Sequence, residues 1–290
     1  MIEFTPMEFL GSNILSIDQF DRKDIDLIFK TADSLVPFAS RQKITKVLQG
    51  AILSNMFFEP STRTRISFGS AFNMLGGEVR ETTEIEATSL AKGESLYDTS
   101  RVLSGYSDVI VMRHPLAGSV AEFAEASRVP VINGGDGDNE HPSQALLDLF
   151  TIKKELESHN KKLDTVRIAL IGDLKFGRAA HSLCKILMLY TNISIKLVSP
   201  DKLRLPDFLI NEFKKNNISI LETQDIKEGI ADVDIIYMTR IQEERFKNVS
   251  EANKYKGLMS LNQEIYTKNC EPNTIITVSY THLRAHETRP

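Results

Sequence analysis

Short apolar runs alternate with helical patterns along most of this chain, and this alternation constrains its fold more than any other feature. The run at 51–58 is apolar, short and followed by turn residues, as expected for a buried strand. In the next segment Phe68, Phe72 and Leu75 recur at helical spacing, and Gly76 ends the pattern. Strands that alternate with helices are typical of parallel sheets covered by helices. We therefore predict an α/β fold.

The alternation continues to residue 238 and divides the chain into two sets of elements. Further strands are predicted at 109–112, 129–132, 166–171, 195–198, 218–221 and 233–238, and further helices at 142–156, 177–190 and 208–215. The helix that begins at Pro142 separates the two sets, and proline is favoured at helix starts. We predict two domains, residues 1–142 and 143–276, each a parallel sheet flanked by helices. A length of 290 residues suffices for two such domains.

Composition and charge exclude several classes of protein. Hydrophobic residues make up 41% of the chain and charged residues 26%, which provides enough apolar mass for a core and excludes intrinsic disorder. The sequence has no long uncharged apolar segment and a formal net charge of −4, so we expect no membrane span and no nucleic-acid partner. Cys184 and Cys270 are too few for a disulfide framework, and residues 1–6 do not resemble a secretory signal. These features favour a cytoplasmic protein.

The densest group of hydrogen-bond donors is Ser61-Thr62-Arg63-Thr64-Arg65, at the start of a predicted helix. A helix N-terminus presents unpaired backbone N–H groups and partial positive charge, and it therefore attracts anions. Hydroxyl groups add donors, and arginine adds a bidentate fork that suits phosphate. The segment predicts a phosphate-binding helix start without the Gly-rich loop and lysine of a nucleotide-binding P-loop. The alternative is a capped helix start with solvated arginines.

Four other segments place polar side chains where predicted strands end or helices begin, which is where ligands bind to α/β sheets. They contain Arg113, His141 with Gln144, Arg178, and Arg240 with Gln242. Histidine can donate a hydrogen bond to an oxyanion, glutamine can bind an amide, and arginine can bind a carboxylate. The segments of Arg113 and of Arg240 with Gln242 could instead be surface loops. A further segment, 87–95, contains Ser89 and Lys92 and on its own indicates only a polar loop.

The sequence offers little support for a bound cofactor. Acidic residues beside His141 could indicate a metal site, but no second histidine or cysteine lies at ligand spacing. Gly172 and Gly177 follow a predicted strand, yet the dinucleotide fingerprint G-x-G-x-x-G is absent. We predict neither a metal nor another cofactor, and a dinucleotide-dependent oxidoreductase is kept only as an alternative.

Together these segments resemble the catalytic chains of the aspartate carbamoyltransferase family, over about residues 14–276. The Ser-Thr-Arg-Thr-Arg element at 61–65 is typical of the carbamoyltransferase superfamily, which includes the ornithine carbamoyltransferases. The aspartate branch is indicated by the segments 57–60, 112–115, 141–152 and 238–242. The resemblance implies the fold of this superfamily, with a carbamoyl-phosphate-binding domain at 1–142 and an aspartate-binding domain at 143–276.

The reaction that this resemblance implies is carbamoyl transfer from carbamoyl phosphate to L-aspartate, which is the second step of de novo pyrimidine (UMP) biosynthesis. By the same resemblance, the phosphate is bound by Ser61, Thr62, Arg63 and Thr64. Thr64, Arg113 and His141 polarise the carbonyl oxygen, and the carbamoyl NH2 group is bound by a glutamine, Gln144. The catalytic residues so implied are Arg63, Thr64, Arg113 and His141.

The second substrate and the assembly also follow from the resemblance. Arg178, Arg240 and Gln242 are expected to bind the two carboxylates of L-aspartate. Ser89 and Lys92 are expected to reach the site from the neighbouring subunit of a homotrimer with shared active sites. Attachment of regulatory chains stays open.

Residues 277–290 do not resemble the family. The segment 277–288 corresponds residue by residue to the translation of a transposase sequencing adapter. We therefore expect the native sequence to stop at Ile276 in this chain, with the second domain truncated, and we expect low activity from the chain as written. The alternative is a divergent native tail.

Two functional alternatives share the same expected fold. One is a carbamoyltransferase for another amine acceptor, although Arg240-x-Gln242 favours a dicarboxylic acceptor. The other is a non-catalytic structural or regulatory relative, which would be expected to lose site residues that this sequence retains.

Overall fold

The structure is a computed structural model that describes residues 9–83, 92–190, 192–246, 250, 253–255 and 257–278. The chain divides into two compact units, Met1–Ser143 and Gln144–Pro290. Each unit contains one sheet, and every strand pair in both sheets is parallel. This architecture confirms the predicted α/β fold with two parallel sheets flanked by helices.

The first unit builds a four-stranded sheet after helix α1 (Arg22–Ala39). Its strands are β1 (Ile52–Phe57), β2 (Glu78–Thr82), β3 (Val109–His114) and β4 (Val131–Asp136), and its other helices are α2 (Thr62–Met74), α3 (Leu96–Leu103) and α4 (Ser119–Ala126). The strand order is β2-β1-β3-β4, so β1 and β3 lie side by side in the middle. Because these strands are parallel, their carboxyl ends meet at the same edge of the sheet.

Helix α5 (Pro142–Ser158) leads into the second unit, which builds a five-stranded sheet. Its strands are β5 (Arg167–Ile171), β6 (Ser194–Val198), β7 (Ser219–Thr223), β8 (Ile235–Met238) and β9 (Ile275–Val278), and its other helices are α6 (Arg178–Leu187), α7 (Asp207–Lys215), α8 (Ile226–Ile230) and α9 (Gln263–Asn269). The strand order is β7-β6-β5-β8-β9, which makes β5 and β8 neighbours. The loops after these two strands therefore start at one edge of the sheet.

Apolar residues of the central strands and of the helices that cover them form the core of each unit. Ile110, Met112 and Phe123 are buried in one cluster of the first unit, and Ile171 and Ile236 are buried in a cluster of the second. Strands that are buried on both faces appear in a sequence as continuous apolar runs, and this explains why β1, β3, β5 and β8 can be predicted. Across the described ranges, no helix combines the length and the hydropathy that a membrane span requires.

Some elements differ from the sequence-based expectation. The sequence predicts no strand at β2, because this edge strand is polar and mostly exposed and has no apolar run. The expected strand at 129–132 begins later and runs through the glycines to Asp136. Helix α1 is absent from the prediction, although Asp21 and Asp24 form a capping box that could have indicated its start.

Strand β9 forms an edge of the second sheet and includes the first two residues of the segment that does not resemble the family. Thr277 and Val278 lie opposite Tyr237 and Met238 of β8 in parallel register. The sheet therefore continues two residues beyond Ile276. Residues 279–290, the remainder of the segment attributed to an adapter, lie outside the described residues.

Candidate active site

The start of α2 is the anion-binding feature that the sequence predicts in the first unit. Ser61 is the N-cap residue with an extended backbone (φ −158°, ψ 106°), but its side chain makes no capping hydrogen bond. The alternative of an ordinary capped helix start therefore does not describe Ser61. Thr62 and Arg63 are exposed, and Thr64 is half-buried. One helix terminus thus combines hydroxyl groups, a guanidinium group and the backbone N–H groups of a first turn, which together suit an anion.

Arg65, the second arginine of this segment, has a structural partner. Its Nη1 atom lies 2.5 Å from Oε2 of Glu81 on β2. Glu81 also accepts a hydrogen bond from Nδ2 of Asn55 on β1 at 3.2 Å. Arg65 therefore connects α2 to the sheet of the first unit.

Arg113 lies at the carboxyl end of β3, beside the segment that leads into α2. In the strand register it is opposite Phe57, the last residue of β1. Its Nε atom donates to Oε2 of Glu59 at 2.9 Å, and both side chains are largely buried. The ion pair holds Arg113 near the β1–α2 turn, so the structure brings this predicted residue to the same edge as Ser61. Glu59 is not among the residues predicted from the sequence, although it is the one acidic residue of the 57–60 segment.

The neighbouring His114 has a different environment. It is buried, its ring contacts Phe58 edge-on at a centroid distance of 5.9 Å, and its Nδ1 atom accepts a hydrogen bond from the backbone N–H of Leu116 at 3.1 Å. Burial lowers the pKa of His114, because the charged imidazolium loses solvation. His114 is therefore a neutral packing residue at neutral pH, and Arg113 is the charged group of this segment.

His141 follows a short loop after β4 and directly precedes α5. It is buried, and its Nδ1 atom lies 3.3 Å from Oγ of Ser143. The loop before it is fixed by Glu140, whose carboxylate accepts hydrogen bonds from Oγ of Ser16 at 2.7 Å and from the backbone N–H of Ile17 at 2.9 Å. This support restricts the position of His141 relative to the sheet of the first unit.

Asp136, an acidic residue at the end of β4, holds the loop before His141 through hydrogen bonds. Asp136 accepts hydrogen bonds from the backbone N–H of Gly118 at 2.8 Å and from Nδ2 of Asn133 at 2.9 Å. Gly137 has φ +54°, and a Cβ atom there would lie 2.6 Å from the backbone nitrogen of Ala117. Within the described ranges, no group of three or more His, Cys, Asp or Glu side chains has a metal-site arrangement.

Gln144 lies in the first turn of α5, and its side chain is anchored in the second unit. Its Nε2 atom donates to Oδ1 of Asp148 at 2.9 Å, and Oδ2 of Asp148 accepts from the hydroxyl of Tyr237 on β8 at 2.6 Å. Burial raises the pKa of Asp148 to about 6, although both hydrogen bonds favour the ionised form. Asp148 is not among the residues predicted from the sequence, although its i,i+4 spacing from Gln144 could have indicated it.

Asp173 connects the two loops that contain the predicted carboxylate-binding residues. Its Oδ1 atom accepts from the backbone N–H of Phe176 at 3.0 Å, and its Oδ2 atom accepts from the backbone N–H of Gln242 at 3.0 Å. Burial raises the pKa of Asp173, because these neutral donors only partly replace water. Gly172 is required where the loops approach, since its φ is +121° and a Cβ atom would lie 2.3 Å from the carbonyl oxygen of Thr239.

These loops bring Arg178, Arg240 and Gln242 to the carboxyl edge of the second sheet. Arg178 is the first residue of α6, after β5, whereas Arg240 and Gln242 follow β8. All three residues are half-buried, and Nη1 of Arg240 donates to the carbonyl oxygen of Ile241 at 3.2 Å. The shared contact with Asp173 explains how segments far apart in the sequence come together.

The segment expected to contribute across subunits is only partly described. Ser89 lies outside the described residues, and Lys92 is exposed in a short turn before α3. The structure therefore brings together the predicted residues of the α2 start with Arg113, and separately those of the loops after β5 and β8.

The fold and these clusters define a parallel α/β protein of two units, in which arginine side chains and other hydrogen-bond donors lie at the carboxyl ends of central strands. Two family models match in succession. The carbamoyl-P binding domain of aspartate/ornithine carbamoyltransferase matches residues 12–154, and the Asp/Orn binding domain matches residues 164–276. The chain belongs to the aspartate/ornithine carbamoyltransferase family, and it is therefore a transferase.

Individual relatives agree with this assignment. The chain is 63% identical over 270 residues to the aspartate carbamoyltransferase catalytic subunit of Cellvibrio japonicus, a match that covers 93% of this chain and 80% of the relative. The corresponding subunit of Saccharophagus degradans is 62% identical over the same shares of both chains.

Solved structures are similar over nearly the whole chain. The catalytic subunit of M. jannaschii aspartate transcarbamoylase has a TM-score of 0.83 and 41% identity, and the match covers 93% of this chain and 86% of that one. The Trypanosoma cruzi enzyme in complex with carbamoyl phosphate and aspartate has a TM-score of 0.85 and 36% identity, with 96% and 88% covered.

Proposed function

We propose that the chain transfers the carbamoyl group of carbamoyl phosphate to the amine of L-aspartate, which yields N-carbamoyl-L-aspartate and phosphate. This reaction is the second step of de novo pyrimidine (UMP) biosynthesis. The identity to aspartate carbamoyltransferase catalytic subunits supports it. The structural observation that carries it is the α2 start, where the Ser61 side chain makes no capping hydrogen bond and Arg113 lies near the end of the neighbouring strand β3, opposite Phe57.

Carbamoyl phosphate is assigned to residues of the first unit. The phosphate is bound by side-chain and backbone donors of the α2 start, contributed by Ser61, Thr62, Arg63 and Thr64. Thr64, Arg113 and His141 polarise the carbonyl oxygen and stabilise the oxyanion that forms during attack. A single preorganised donor of this kind is typically worth about 3 kcal/mol of transition-state stabilisation. The ion pair with Glu59 supports this role, because it holds the Arg113 side chain before substrate binds.

L-Aspartate is assigned to residues of the second unit. Arg178, Arg240 and Gln242 bind its two carboxylates, and Gln144 binds the carbamoyl NH2 group. The aspartate nitrogen attacks the carbonyl carbon, a C–N bond forms, and the C–O bond to phosphate breaks. The departing phosphate accepts the proton from the amine, so no covalent enzyme intermediate is required. Oriented binding of two substrates can supply about 7–11 kcal/mol in favourable systems.

The assembly and the cellular location are part of the same proposal. Ser89 and Lys92 reach the site from the neighbouring subunit of a cytoplasmic homotrimer with shared active sites. The exposure of Lys92 is compatible with a contact outside its own chain. Size measurement in solution tests this assembly, since a trimeric mass is expected and a monomeric mass would contradict it.

We further propose that residues 277–290 derive from an adapter and that the chain as written has low activity. The second family match ends at residue 276, which supports the proposal. Codons of the parent nucleotide sequence that differ from the adapter over residues 277–288 would contradict the first part. Turnover by the 290-residue chain equal to that of the complete gene product would contradict the second.

The reaction is tested with the complete product of the parent gene and a colour assay for carbamoylated amino acids. We expect product with carbamoyl phosphate and L-aspartate, and background signal with ornithine. Product with ornithine alone would indicate a different amine acceptor. Absence of turnover together with no binding of N-phosphonacetyl-L-aspartate would indicate a non-catalytic relative.

A further inference from the structure

Asp148 is a buried carboxylate whose two oxygens are held by neutral donors. Its side chain accepts from Nε2 of Gln144 at 2.9 Å and from the hydroxyl of Tyr237 at 2.6 Å. Asp148 is 3% exposed and Tyr237 is completely buried. Among the ion pairs of the described residues, none involves Asp148. Such an arrangement costs stability, because a buried charge lacks a cation.

An ionised carboxylate determines the orientation of the amide that contacts it. Because a carboxylate can only accept hydrogen bonds, Gln144 must present its NH2 group to Asp148. The carbonyl oxygen of the same planar amide then points the other way. A neutral asparagine at position 148 could accept from Tyr237 and donate to the Gln144 oxygen, and the amide would then reverse. Stability alone therefore does not require aspartate at position 148, whereas the orientation of the Gln144 amide does require it.

We propose that Asp148 is a positioning residue that directs the carbonyl oxygen of Gln144 toward the substrate, and that it thereby makes the site select an amide NH2 group over a carboxylate. This inference rests on the proposed function, in which Gln144 binds the carbamoyl NH2 group. A correctly oriented carbonyl accepts from an NH2 group and repels a carboxylate oxygen. The reversed amide would donate to a carboxylate and meet an NH2 group donor to donor.

Two ligands that share a phosphonate group test this selectivity. Phosphonoacetamide ends in an amide and phosphonoacetate in a carboxylate, so the ratio of their dissociation constants reports the orientation of Gln144. We expect the complete gene product to prefer the amide and Asp148→Asn to reduce this preference about tenfold or more, since a mispaired buried polar contact is costly. The dissociation constant for inorganic phosphate should stay within about twofold.

Two further variants distinguish a changed orientation of the Gln144 amide from a general loss of stability. Tyr237→Phe keeps the Asp148–Gln144 contact, so it should lower thermal stability and leave the ligand ratio within about twofold. In the Asp148→Asn background, Gln144→Glu introduces a side chain that can only accept, and an acceptor again faces the ligand. The double variant should regain a preference for the amide.

The possible results test the positioning role of Asp148 separately from the proposed carbamoyl transfer. A folded Asp148→Asn protein with the wild-type ligand ratio would overturn the positioning role and leave carbamoyl transfer intact. Equally weakened binding of both phosphonates and of inorganic phosphate by Asp148→Asn would also overturn the positioning role, because that pattern indicates a structural role only. A wild-type protein that binds neither phosphonate nor phosphate would overturn the proposed function as well.

Discussion

At the amino edge of the second sheet, Asp234 forms ion pairs with two cationic side chains. At the carboxyl edge, Asp173 accepts hydrogen bonds from backbone N–H groups. Asp234 accepts from Nζ of Lys161 at 2.6 Å and from Nη2 of Arg167 at 3.0 Å. Burial alone would raise the pKa of Asp234, but these hydrogen bonds outweigh it and lower the pKa to about 2. Burial raises the pKa of Asp173, whose acceptor atoms hold the loops of Arg178 and Gln242.

The carboxylates at the two edges of the second sheet have different roles. At the amino edge, a carboxylate compensates cations and its ionisation favours the folded state. At the carboxyl edge, the carboxylates Asp148 and Asp173 organise a glutamine and two loops through neutral donors, and their ionisation opposes folding. The raised pKa values of Asp148 and Asp173 agree with the proposed ligand site at the carboxyl edge, because perturbed pKa values are common at functional sites.

The largest effect is expected at the carboxyl edge of the first sheet. Arg113→Met should lower the turnover of carbamoyl transfer about a hundredfold or more, because it removes a charged donor from the oxyanion. Steady-state assays of the complete gene product measure this change. Glu59→Gln is the matched control, since it weakens the ion pair but keeps the guanidinium group, and its loss of turnover should be smaller. Equal turnover of Arg113→Met and wild type would contradict the proposed role of Arg113.

A second prediction concerns the pH dependence of stability at Asp148. The pKa of Asp148 is about 6 in the folded chain, whereas its ordinary value is 3.8. Between these two pH values, the folded chain therefore binds a proton at Asp148 more readily than the unfolded chain does. Stability should therefore decrease as pH rises through this window, with a cost of up to about 3 kcal/mol above pH 6. Asp148→Asn should remove this contribution in urea unfolding at pH 4 and pH 8. An unchanged difference between the two pH values would contradict it.

The smallest effect is expected at the amino edge. Asp234→Asn should lower the free energy of unfolding by about 1–2 kcal/mol, because Lys161 and Arg167 lose their charged partner but still reach solvent. The lowered pKa of Asp234 means that its contribution is present above about pH 4 and is lost as the pH falls toward 2. Turnover should stay within about twofold once the protein is folded. A large loss of turnover in Asp234→Asn with unchanged stability would contradict the purely structural role of the amino edge.

Much of the fold can be read from the sequence, because buried parallel strands appear as apolar runs and helices as periodic ones. The edge strand β2 is missed for the same reason, since its polar residues form neither pattern. The donors of the α2 start can be found locally, because they lie within five consecutive residues. Their assignment to substrate atoms comes from the family resemblance and stays a proposal.

The long-range contacts of the supporting carboxylates could not be predicted in the same way. Glu59 and Arg113 are separated by 54 positions, and Asp148 and Tyr237 by 89. Such pairs depend on strand order and register, which a single sequence does not display. Asp173 is the clearest case, because its partners are backbone N–H groups that any residue could supply.

The most direct test compares two arginines at opposite edges of the second sheet. Binding of N-phosphonacetyl-L-aspartate to the complete gene product is measured by calorimetry for wild type, Arg240→Met and Arg167→Met. We predict about 10–100-fold weaker binding for Arg240→Met, since hydrogen bonds to charged groups contribute about 1.5–3 kcal/mol each, and a change within about twofold for Arg167→Met. Wild-type binding by folded Arg240→Met, or equal losses in both variants, would contradict the assignment of ligand binding to the carboxyl edge.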